Sequence, residues 1–330
     1  MNILYTVDDA FVPQLAAGMC SIFENDGDAR DIDVYVFGQG ISDGHARMLD
    51  EFAHGYGRRM HLIDISNLMD LIGVDFDTKG WKSIVLARLV MARLLPADVH
   101  RILYLDGDTI VRRSLQPLWD TDFEGNTLCM VAEPTVDRRR LGEIGLAGRP
   151  YYNAGVLFVD LDAWRTTDAE HRLLDCIERE GTHLFANDQD AINIALAAEI
   201  KQISPAYNYA NTFDLYPYRF LAKLVPAWVD RETFDAARRD PAIIHYLGEE
   251  RPWRRGNTHR FRDDYLHYLA LTPFSDTPLE EGWTSYFRLW NAFNVLTHPF
   301  PALRLRIITT LIPVFIRHRQ RQRQRNEQGT

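Results

Sequence analysis

Short apolar runs alternate with longer amphipathic stretches along most of the chain. The apolar runs predict strands at residues 3–7, 33–37, 60–63, 101–105, 127–132, 155–161 and 242–246. The amphipathic stretches predict helices at residues 11–23, 43–56, 84–95 and 187–198, the second of them capped by Ser42. Strands that alternate with helices are typical of an α/β sheet in which most strands are parallel. Such sheets bind ligands beyond the carboxyl ends of their strands, so polar residues at those ends are the candidates for chemistry.

Length and composition narrow the class of protein. The 330 residues, 46% of them apolar, are enough for a large core and exclude collagen-like, mucin-like and disordered chains. Cys20, Cys129 and Cys176 lie far apart and form no CxxC pair, so we expect neither a thiolate zinc site nor a disulfide framework. No basic segment precedes Asp8 and Asp9, so no signal peptide is expected, and no apolar run has the length of a membrane span.

The net charge of −9 is an average over two unlike parts. Residues 301–330 contain seven Arg, no Lys and one Glu, so they carry +6 and the remaining 300 residues carry −15. An acidic body argues against a nucleic-acid partner, because such partners require a basic surface.

The basic tail also has an apolar side. On a helical wheel Leu303, Ile307, Leu311 and their apolar neighbours share one side, although Arg304 falls among them and Pro313 interrupts the run. This pattern predicts a helix that lies on an anionic membrane surface, and a disordered solvated tail is the alternative. The stretch at residues 275–282 is predicted to be a linker to this C-terminal segment.

The strongest candidate for chemistry is Asp106-Gly107-Asp108, directly after the strand predicted at 101–105. Neighbouring carboxylates repel each other unless a cation lies between them, and such oxygen ligands suit Mn²⁺ or Mg²⁺ shared with a phosphate. Gly107 is expected to let the backbone bend so that both side chains face one ion. The alternatives are an Asp-Gly turn and an aspartate-nucleophile phosphatase. The phosphatase motif, however, needs a Thr four residues after the first Asp, and Thr109 comes three after it.

A second group of candidates follows the last predicted strand. A neutral His245 at that strand end can complete an oxygen-rich metal site. Gly248 allows the backbone to approach a diphosphate, and Arg251 can pair with it. The alternative is a core histidine beside a surface arginine.

Two further pairs lie at strand ends. Asp8 and Asp9 follow the first strand, where a carboxylate can accept hydrogen bonds from a base or a ribose, and for this pair taken alone a turn or a helix cap is the favoured alternative. Asn153 and Ala154 precede the strand predicted at 155–161. The small residues there allow close approach of a ligand and Asn153 can bond a sugar hydroxyl, with a simple loop as the alternative.

The last motif is Asp188-Gln189-Asp190 at the start of the helix predicted at 187–198. Asn187 as a helix cap and two acids that complement the helix dipole are one interpretation. Three polar side chains that bind sugar hydroxyls and a developing cation are the other.

Together and in this order, the motifs resemble retaining glycosyltransferase family 8, in particular bacterial lipopolysaccharide galactosyltransferases and glucosyltransferases. The shared features are YLDxDxxV at 104–111, PLWD at 117–120, NAGV at 153–156, DQD at 188–190 and HYxG…PW at 245–253. The resemblance implies a GT-A fold, Rossmann-like α/β with a mostly parallel sheet, over residues 1–270. A C-terminal segment at 271–300 and the membrane-association tail at 301–330 would follow.

The resemblance also implies roles for residues. Asp106, Asp108 and His245 would hold Mn²⁺, with Mg²⁺ as the alternative. Gln189 would lie beside the anomeric carbon of the sugar, and Asp190 would support it. The donor would contact Thr6, Asp8, Asp9, Arg88, Asp106, Gly107, Asn153, Ala154, Asp188, Gln189, Gly248 and Arg251. Two positions depart from the family pattern, because Arg251 replaces a usual Lys and Ala10 replaces a frequent Asn.

The expected function follows from these roles. We expect a retaining, metal-dependent enzyme that moves galactose or glucose from a UDP-sugar to a glycan, either lipopolysaccharide or another lipid-linked glycan. A non-catalytic nucleotide-sugar-binding protein and a self-glucosylating starter enzyme are the alternatives. The expected location is cytoplasmic, at the inner face of the membrane.

Overall fold

The computed structural model describes residues 1–27, 31–73, 83–181, 183–184 and 186–311. The strands in these ranges are β1 (Asn2–Asp8), β2 (Asp33–Gln39), β3 (Arg59–Asp64), β4 (Arg101–Leu105), β5 (Thr109–Val111), β6 (Leu128–Ala132), β7 (Tyr152–Asp160), β8 (Ile200–Gln202), β9 (Tyr209–Ala210) and β10 (Ile243–His245).

Helices surround these strands. The α-helices in the described ranges are α1 (Val12–Asn25), α2 (Asp43–Gly55), α3 (Leu68–Ile72), α4 (Met91–Leu94), α5 (Gln116–Trp119), α6 (Arg138–Glu143), α7 (Leu161–Thr166), α8 (Ala169–Glu180), α9 (Asn187–Ala195), α10 (Thr212–Leu215), α11 (Tyr218–Leu221), α12 (Arg231–Arg239), α13 (Arg262–Ala270) and α14 (Thr284–Thr297). Shorter 3₁₀ helices span Asp9–Phe11, Ser83–Val90 and Pro205–Tyr207, and residues 301–311 are helical as well.

The main sheet has seven strands in the order β3-β2-β1-β4-β7-β6-β8. Every neighbouring pair is parallel except the two that involve β7, which runs antiparallel to β4 and to β6. Successive side chains of β4 enter two different apolar clusters, Leu103 and Leu105 on one face and Ile102 and Tyr104 on the other. Because both faces of the sheet are buried, its strands appear in the sequence as continuous apolar runs. The expected α/β fold with a mostly parallel sheet is confirmed.

Strand direction brings three chain segments to one edge of this sheet. β1 and β4 are parallel neighbours, so the residues after Asp8 and after Leu105 emerge side by side. β7 is antiparallel, so its first residues lie at the same edge, where Gly155 O accepts a hydrogen bond from Asp106 N at 2.8 Å. The sequence placed Asn153 and Ala154 in a loop, whereas the strand begins at Tyr152, because pairing with β6 extends to these residues.

A second, smaller sheet supplies the other side of this edge. It has the order β5-β10-β9, and β10 runs antiparallel to β5 with His245 opposite Thr109. The strand that carries His245 therefore belongs to a separate sheet, which starts one residue after Asp108. The chain turns at Gly107 from one sheet into the other.

Two helix predictions need correction. The expected helix at 84–95 is a 3₁₀ helix followed by the short α4, in a stretch where β-branched Ile84, Val85 and Val90 disfavour a regular α-helix. The helix expected from 187 begins with Ala186 at the cap position, not Asn187, since Asp190 N donates to Ala186 O. Ser42 caps α2 as expected, and its hydroxyl accepts from His45 N. All three cysteines are buried and free.

The segment expected to be a linker, at 275–282, instead packs on the body. Glu280 accepts hydrogen bonds from Trp253 Nε1 and from Arg254 Nε, both at 2.9 Å. Further on, Glu250 accepts from Trp290 Nε1 of α14 at 2.6 Å. Residues 271–300 are therefore tied to the loop that follows β10.

Helix 301–311 is also anchored. Arg304, which the helical wheel placed among apolar residues, is only 1% exposed and donates to Leu215 O, to Asn294 O and to Thr297 Oγ1. The predicted tail continues to residue 330, and residues 312–330, with Pro313, lie outside the described ranges. Among the residues that the structure describes, none of the helices has the length and apolar character that crossing a bilayer requires.

Candidate active site

Asp106, Asp108 and His245 form a compact group at the edge shared by the two sheets. One ligand atom from each of the three lies within 4.8 Å of the other two. His245 Nε2 is 3.2 Å from an oxygen of Asp108 and 3.7 Å from an oxygen of Asp106. Two carboxylates and an imidazole that converge in this way can hold a divalent cation.

Two glycines make room for this group. A Cβ on Gly155 would lie 2.0 Å from Cε1 of His245, so only glycine allows the imidazole to lie against β7. A Cβ on Gly107 would lie 2.9 Å from the ring of Phe11. Gly107 was expected to supply backbone freedom, but its φ lies outside the left-handed region that favours glycine, so its requirement is space.

The charges of the group support one another. Burial lowers the pKa of His245, but the carboxylate of Asp108 outweighs this effect and the net pKa is raised. Burial likewise raises the pKa of Asp108, whereas His245 and Arg251 lower it below its usual range. Asp108 is thereby kept ionised beside positive partners.

Arg88 lies between this group and the Asp188-Gln189-Asp190 motif. Its guanidinium is 3.0 Å from Asp106 and 3.0 Å from Asp188, and it also donates to Ala154 O at 2.6 Å. Burial lowers the pKa of Arg88, but Asp106, Tyr104 and Asp188 raise it above its usual range. Arg88 therefore stays charged and ties the start of α9 to the end of β4.

Gln189 and Asp190 point to different partners. Asp190 accepts from Arg140 and from the Tyr151 hydroxyl, both at 2.6 Å. Gln189 Oε1 accepts from Ala154 N at 2.9 Å, and its Nε2 donates to the Tyr151 hydroxyl at 3.2 Å. Asp190 is thus held in an ion pair, and the Gln189 amide has a defined orientation beside β7.

Asn153 belongs to a chain of hydrogen bonds that ends at His245. Its Oδ1 accepts from Gly155 N and from Asn208 Nδ2, both at 2.9 Å. Asn208 Oδ1 in turn contacts His245 Nδ1 at 2.8 Å. Asn153 also hydrogen-bonds Glu133, whose pKa burial raises. That Asn153 contacts the sugar stays a prediction.

The remaining predicted donor residues surround this edge. Arg251 lies 3.7 Å from Asp108, and its buried Nε has no hydrogen-bond partner among the described residues. The buried hydroxyl of Thr6 has none there either. Gly248 has a φ of +70° and open space where a Cβ would be, so glycine is favoured there by the backbone conformation of the turn and not by lack of space. Asp9 faces α2 instead, where it accepts from Ser42 N and contacts His45 at 2.8 Å. Donor contacts of all these residues, of Asp8 and of Ala154 stay predictions.

Comparison with known proteins identifies the family. A model described as glycosyl transferase family 8 matches residues 2–257. The chain belongs to glycosyl transferase family 8. It is therefore a glycosyltransferase, as expected.

Relatives of this family 8 chain include lipopolysaccharide enzymes. General stress protein A of Bacillus subtilis is 26% identical, over 83% of this chain and 95% of its own. The lipopolysaccharide 1,3-galactosyltransferase of Salmonella typhimurium is 24% identical, over 86% and 82% respectively. Among solved structures, the galactosyltransferase LgtC in complex with donor and acceptor sugar analogs matches with a TM-score of 0.71 and 26% identity, covering 86% of this chain and 99% of LgtC. The fold is the GT-A fold of LgtC.

Sequence reasoning missed several residues of this family 8 site. Asn208, Arg140 and Tyr151 each contact a predicted residue, and so does Tyr104, whose hydroxyl donates to Asp106 at 2.7 Å. Tyr104 is itself the first residue of the YLDxDxxV motif at 104–111, so the sequence carried a usable signal for it. Asn208 and the others lie in stretches with no local pattern, so only the tertiary structure finds them.

Proposed function

We propose that this protein is a retaining, metal-dependent hexosyltransferase that moves galactose or glucose from a UDP-sugar to a glycan acceptor. The observation that carries the proposal is the convergence of Asp106, Asp108 and His245 at one edge of a GT-A fold. The similarity to the lipopolysaccharide 1,3-galactosyltransferase of Salmonella typhimurium supports galactose and a lipopolysaccharide acceptor. Retention at the anomeric carbon rests on the resemblance to family 8.

The residues at this edge fit a divalent metal. Asp106 and Asp108 offer hard oxygen ligands and His245 a nitrogen, a donor set that suits Mn²⁺ and Mg²⁺. When bound, the ion supplies Lewis-acid stabilisation for the negative charge that grows on the leaving diphosphate. Tyr104 and Arg88 hold Asp106 from the opposite side, which fixes the carboxylate before any ligand arrives.

Arg251 provides a second positive group for the diphosphate. Its guanidinium lies near Asp108 and over the rings of Phe11 and Trp253, with the carbon of the guanidinium 5.6 and 5.5 Å from the ring centres. The unused buried Nε of Arg251 is a donor for an incoming phosphate oxygen. Charge-assisted hydrogen bonds from this position strengthen as the leaving group becomes more negative.

On the sugar side, Gln189 is the residue that we place beside the anomeric carbon. Its amide is oriented by Ala154 N and by Tyr151, so its carbonyl oxygen has a fixed direction as the sugar becomes cation-like. Asp190 is paired with Arg140 and acts as a support for Gln189 through the shared Tyr151. Asp188, paired with Arg88, is the other sugar-binding candidate at this helix.

A donor panel tests the enzymatic proposal. UDP-galactose, UDP-glucose and UDP-GlcNAc are incubated with the full chain, with MnCl₂ or with EDTA, and released UDP is measured. We expect release from a UDP-hexose with MnCl₂ and little with EDTA. Release at the same rate in EDTA would overturn the metal dependence, and binding without any release, with a glycan acceptor present, would favour the non-catalytic alternative. Sugar attached to a tyrosine of the protein would instead identify a self-glucosylating enzyme.

We also propose that the acceptor is lipid-linked and that the protein binds an anionic membrane surface through its C-terminal apolar face. This face consists of Leu289, Val295, Leu296, Phe300 and Leu303, all of them exposed, and Leu289 and Leu296 are each 74% exposed. Its residues lie on α14, at Phe300 between the two helices, and near the start of helix 301–311. The proposed membrane contact therefore begins in the segment 271–300, earlier than the sequence indicated.

Charge supports a lipid surface as the occupant of the C-terminal apolar face. The chain beyond the described residues, 312–330, contains five Arg and one Glu. Apolar side chains that insert among lipids and arginines that bind anionic head groups reinforce each other. This association would place the protein at the inner face of the membrane.

A combined Leu289→Ser, Leu296→Ser and Phe300→Ser variant tests the surface. Co-sedimentation with phosphatidylglycerol vesicles should fall at least about 10-fold, because three large apolar side chains no longer enter the lipid. UDP release from the free donor should stay near wild type. Leu271→Ser, at an exposed leucine outside this face, is the matched control. Unchanged sedimentation of the triple variant, or equal loss in the control, would refute the proposal.

A further inference from the structure

The side chain of Asn208 links His245, one of the three proposed metal ligands, to Asn153 of β7. Asn208 and His245 are both 2% exposed, so their hydrogen bonds form away from solvent. Asn208 contacts His245 Nδ1 on one side and Asn153 on the other. None of the family motifs in the sequence includes Asn208.

The orientation of this chain of hydrogen bonds is fixed at one end. The main-chain N–H of Gly155 is always a donor, and it donates to Asn153 Oδ1 at 2.9 Å. Oδ1 of Asn153 is an acceptor only, so the atom of Asn208 that faces it at 2.9 Å must be the amide nitrogen. The other end of the Asn208 amide is then its oxygen.

The same reasoning shows which ring nitrogen of His245 carries a proton. The oxygen of Asn208 lies 2.8 Å from His245 Nδ1, and it can only accept. Nδ1 of His245 therefore carries a proton. Its Nε2, which faces Asp106 and Asp108, is the nitrogen left to bind a metal.

We propose that Asn208 is a positioning residue that, together with Asn153 and the Gly155 N–H, fixes the tautomer and ring orientation of His245 for metal binding. Groups that hydrogen-bond the second nitrogen of a ligating histidine commonly contribute 10–100-fold to metal affinity. Asn208 is not one of the proposed metal ligands, and its hydrogen bonds go to His245 and Asn153. Its effect is exerted through His245, and this inference rests on the proposed metal site.

The test measures MnCl₂ binding to the full chain by titration calorimetry, without any sugar donor. Asn208→Leu should weaken binding by about 10–100-fold. In ¹⁵N-histidine-labelled protein, the slowly exchanging Nδ1 proton signal of His245, assigned by its loss in His245→Gln, should also disappear. Asn193→Leu is the matched control, because Asn193 is also 2% exposed and also bonds the start of β7, at the main chain of Tyr152, but makes no hydrogen bond to His245. It should keep Mn²⁺ affinity within about 3-fold and retain the Nδ1 signal.

The outcomes separate the two proposals. If wild-type protein binds no Mn²⁺, the proposed metal site itself fails. If wild type binds and Asn208→Leu keeps both affinity and signal, or Asn193→Leu loses as much affinity, the positioning role of Asn208 is wrong. Should Asn208→Leu not fold, Asn208→Ala replaces it, since alanine can bond neither His245 nor Asn153. The same loss of Mn²⁺ affinity, about 10–100-fold, is expected there, and unchanged affinity would overturn the role of Asn208.

Discussion

Two Asp-x-Asp motifs of the chain lie at the candidate site, and the structure treats them in opposite ways. Asp106 and Asp108 follow a strand and turn toward one point, where His245 joins them. Asp188 and Asp190 lie in the first turn of α9 and point apart, one to Arg88 and the other to Arg140. The first pair concentrates negative charge, and the second pair distributes it between two cations.

The difference follows from backbone geometry. Residues two apart on a helix are about 200° apart around its axis, so their side chains cannot share a ligand. Residues on either side of a turn can converge, and here the turn depends on the space that Gly107 leaves for Phe11. Convergence of like charges is costly unless a cation is present, so the first motif suits a bound cation, whereas each acid of the second motif is paired with an arginine.

The largest expected effect tests the converging pair. Asp106→Ala should reduce metal-dependent UDP release by on the order of 1,000-fold, about 4 kcal/mol, because the proposed Lewis acid loses a ligand. UDP release is measured in MnCl₂ and in EDTA, and circular dichroism checks the fold. Near-normal release in EDTA would mean that the converging pair holds no catalytic metal.

The next effect tests the supporting pair through its arginines. Arg88→Met should lower the free energy of unfolding by about 3–5 kcal/mol, since it leaves the buried Asp188 without its cation. Arg140→Met should cost only about 1–3 kcal/mol, because Asp190 still accepts from Tyr151. Denaturant unfolding compares the two variants. If both variants matched wild-type stability, α9 would not depend on these pairs.

A smaller effect is expected when Gly155 of β7, which contacts His245, is replaced. Gly155→Ala should weaken Mn²⁺ affinity at least about 10-fold, close to 1.4 kcal/mol, because a Cβ 2.0 Å from Cε1 displaces the imidazole of His245. Calorimetric titration with MnCl₂ measures the change. Gly142→Ala is the control, because Gly142 has an ordinary φ and open space for a Cβ, so this variant should bind Mn²⁺ as wild type does. Gly148→Ala would not serve, because Gly148 has a φ of +75°.

The smallest effect is expected for Asp108→Asn, which tests whether the converging pair is stabilised by a metal. In EDTA, Asp108→Asn should leave the free energy of unfolding within about 1 kcal/mol of wild type, because the lost attraction to His245 is offset by relief of repulsion from Asp106. Saturating MnCl₂, at about 100 times its Kd, should stabilise wild type by about 2.7 kcal/mol. The same MnCl₂ concentration should give the variant a smaller gain. Thermal unfolding with and without MnCl₂ checks both statements, and an equal gain in the variant would contradict the assignment of Asp108 as a ligand.

Much of the fold could be predicted from the sequence because the strands are apolar runs with clear limits. The strand predicted at 101–105 matches β4 residue for residue, and Ser42 caps its helix as expected. The convergence of Asp106 and Asp108 with His245 was also expected, since Asp106 and Asp108 form a local motif, and their role as metal ligands stays a prediction. Asn208 and Arg140 carry none, because their partners lie 37 and 50 residues away in sequence. Contacts of this kind depend on how sheets and helices pack.

Arg304 illustrates a different limit. A helical wheel assigns each residue to a face but says nothing about what that face contacts. The wheel placed Arg304 among apolar residues, and the structure buries it against the body, where main-chain carbonyls satisfy its guanidinium. The same wheel could not separate the anchored part of the helix from the exposed Leu303.

The hydrogen bond between Glu250 and Trp290 has a consequence for how an acceptor is found. Glu250 is the neighbour of Arg251 in the loop beyond β10, and Trp290 is the neighbour of Leu289 on α14. If the proposed membrane contact holds Leu289 against a bilayer, this link would set the tilt of the crevice at the candidate site relative to the lipid plane. Enzyme and lipid-linked acceptor would then meet by diffusion in two dimensions with the crevice already aimed along the surface, so that encounter frequency depends on acceptor density per membrane area.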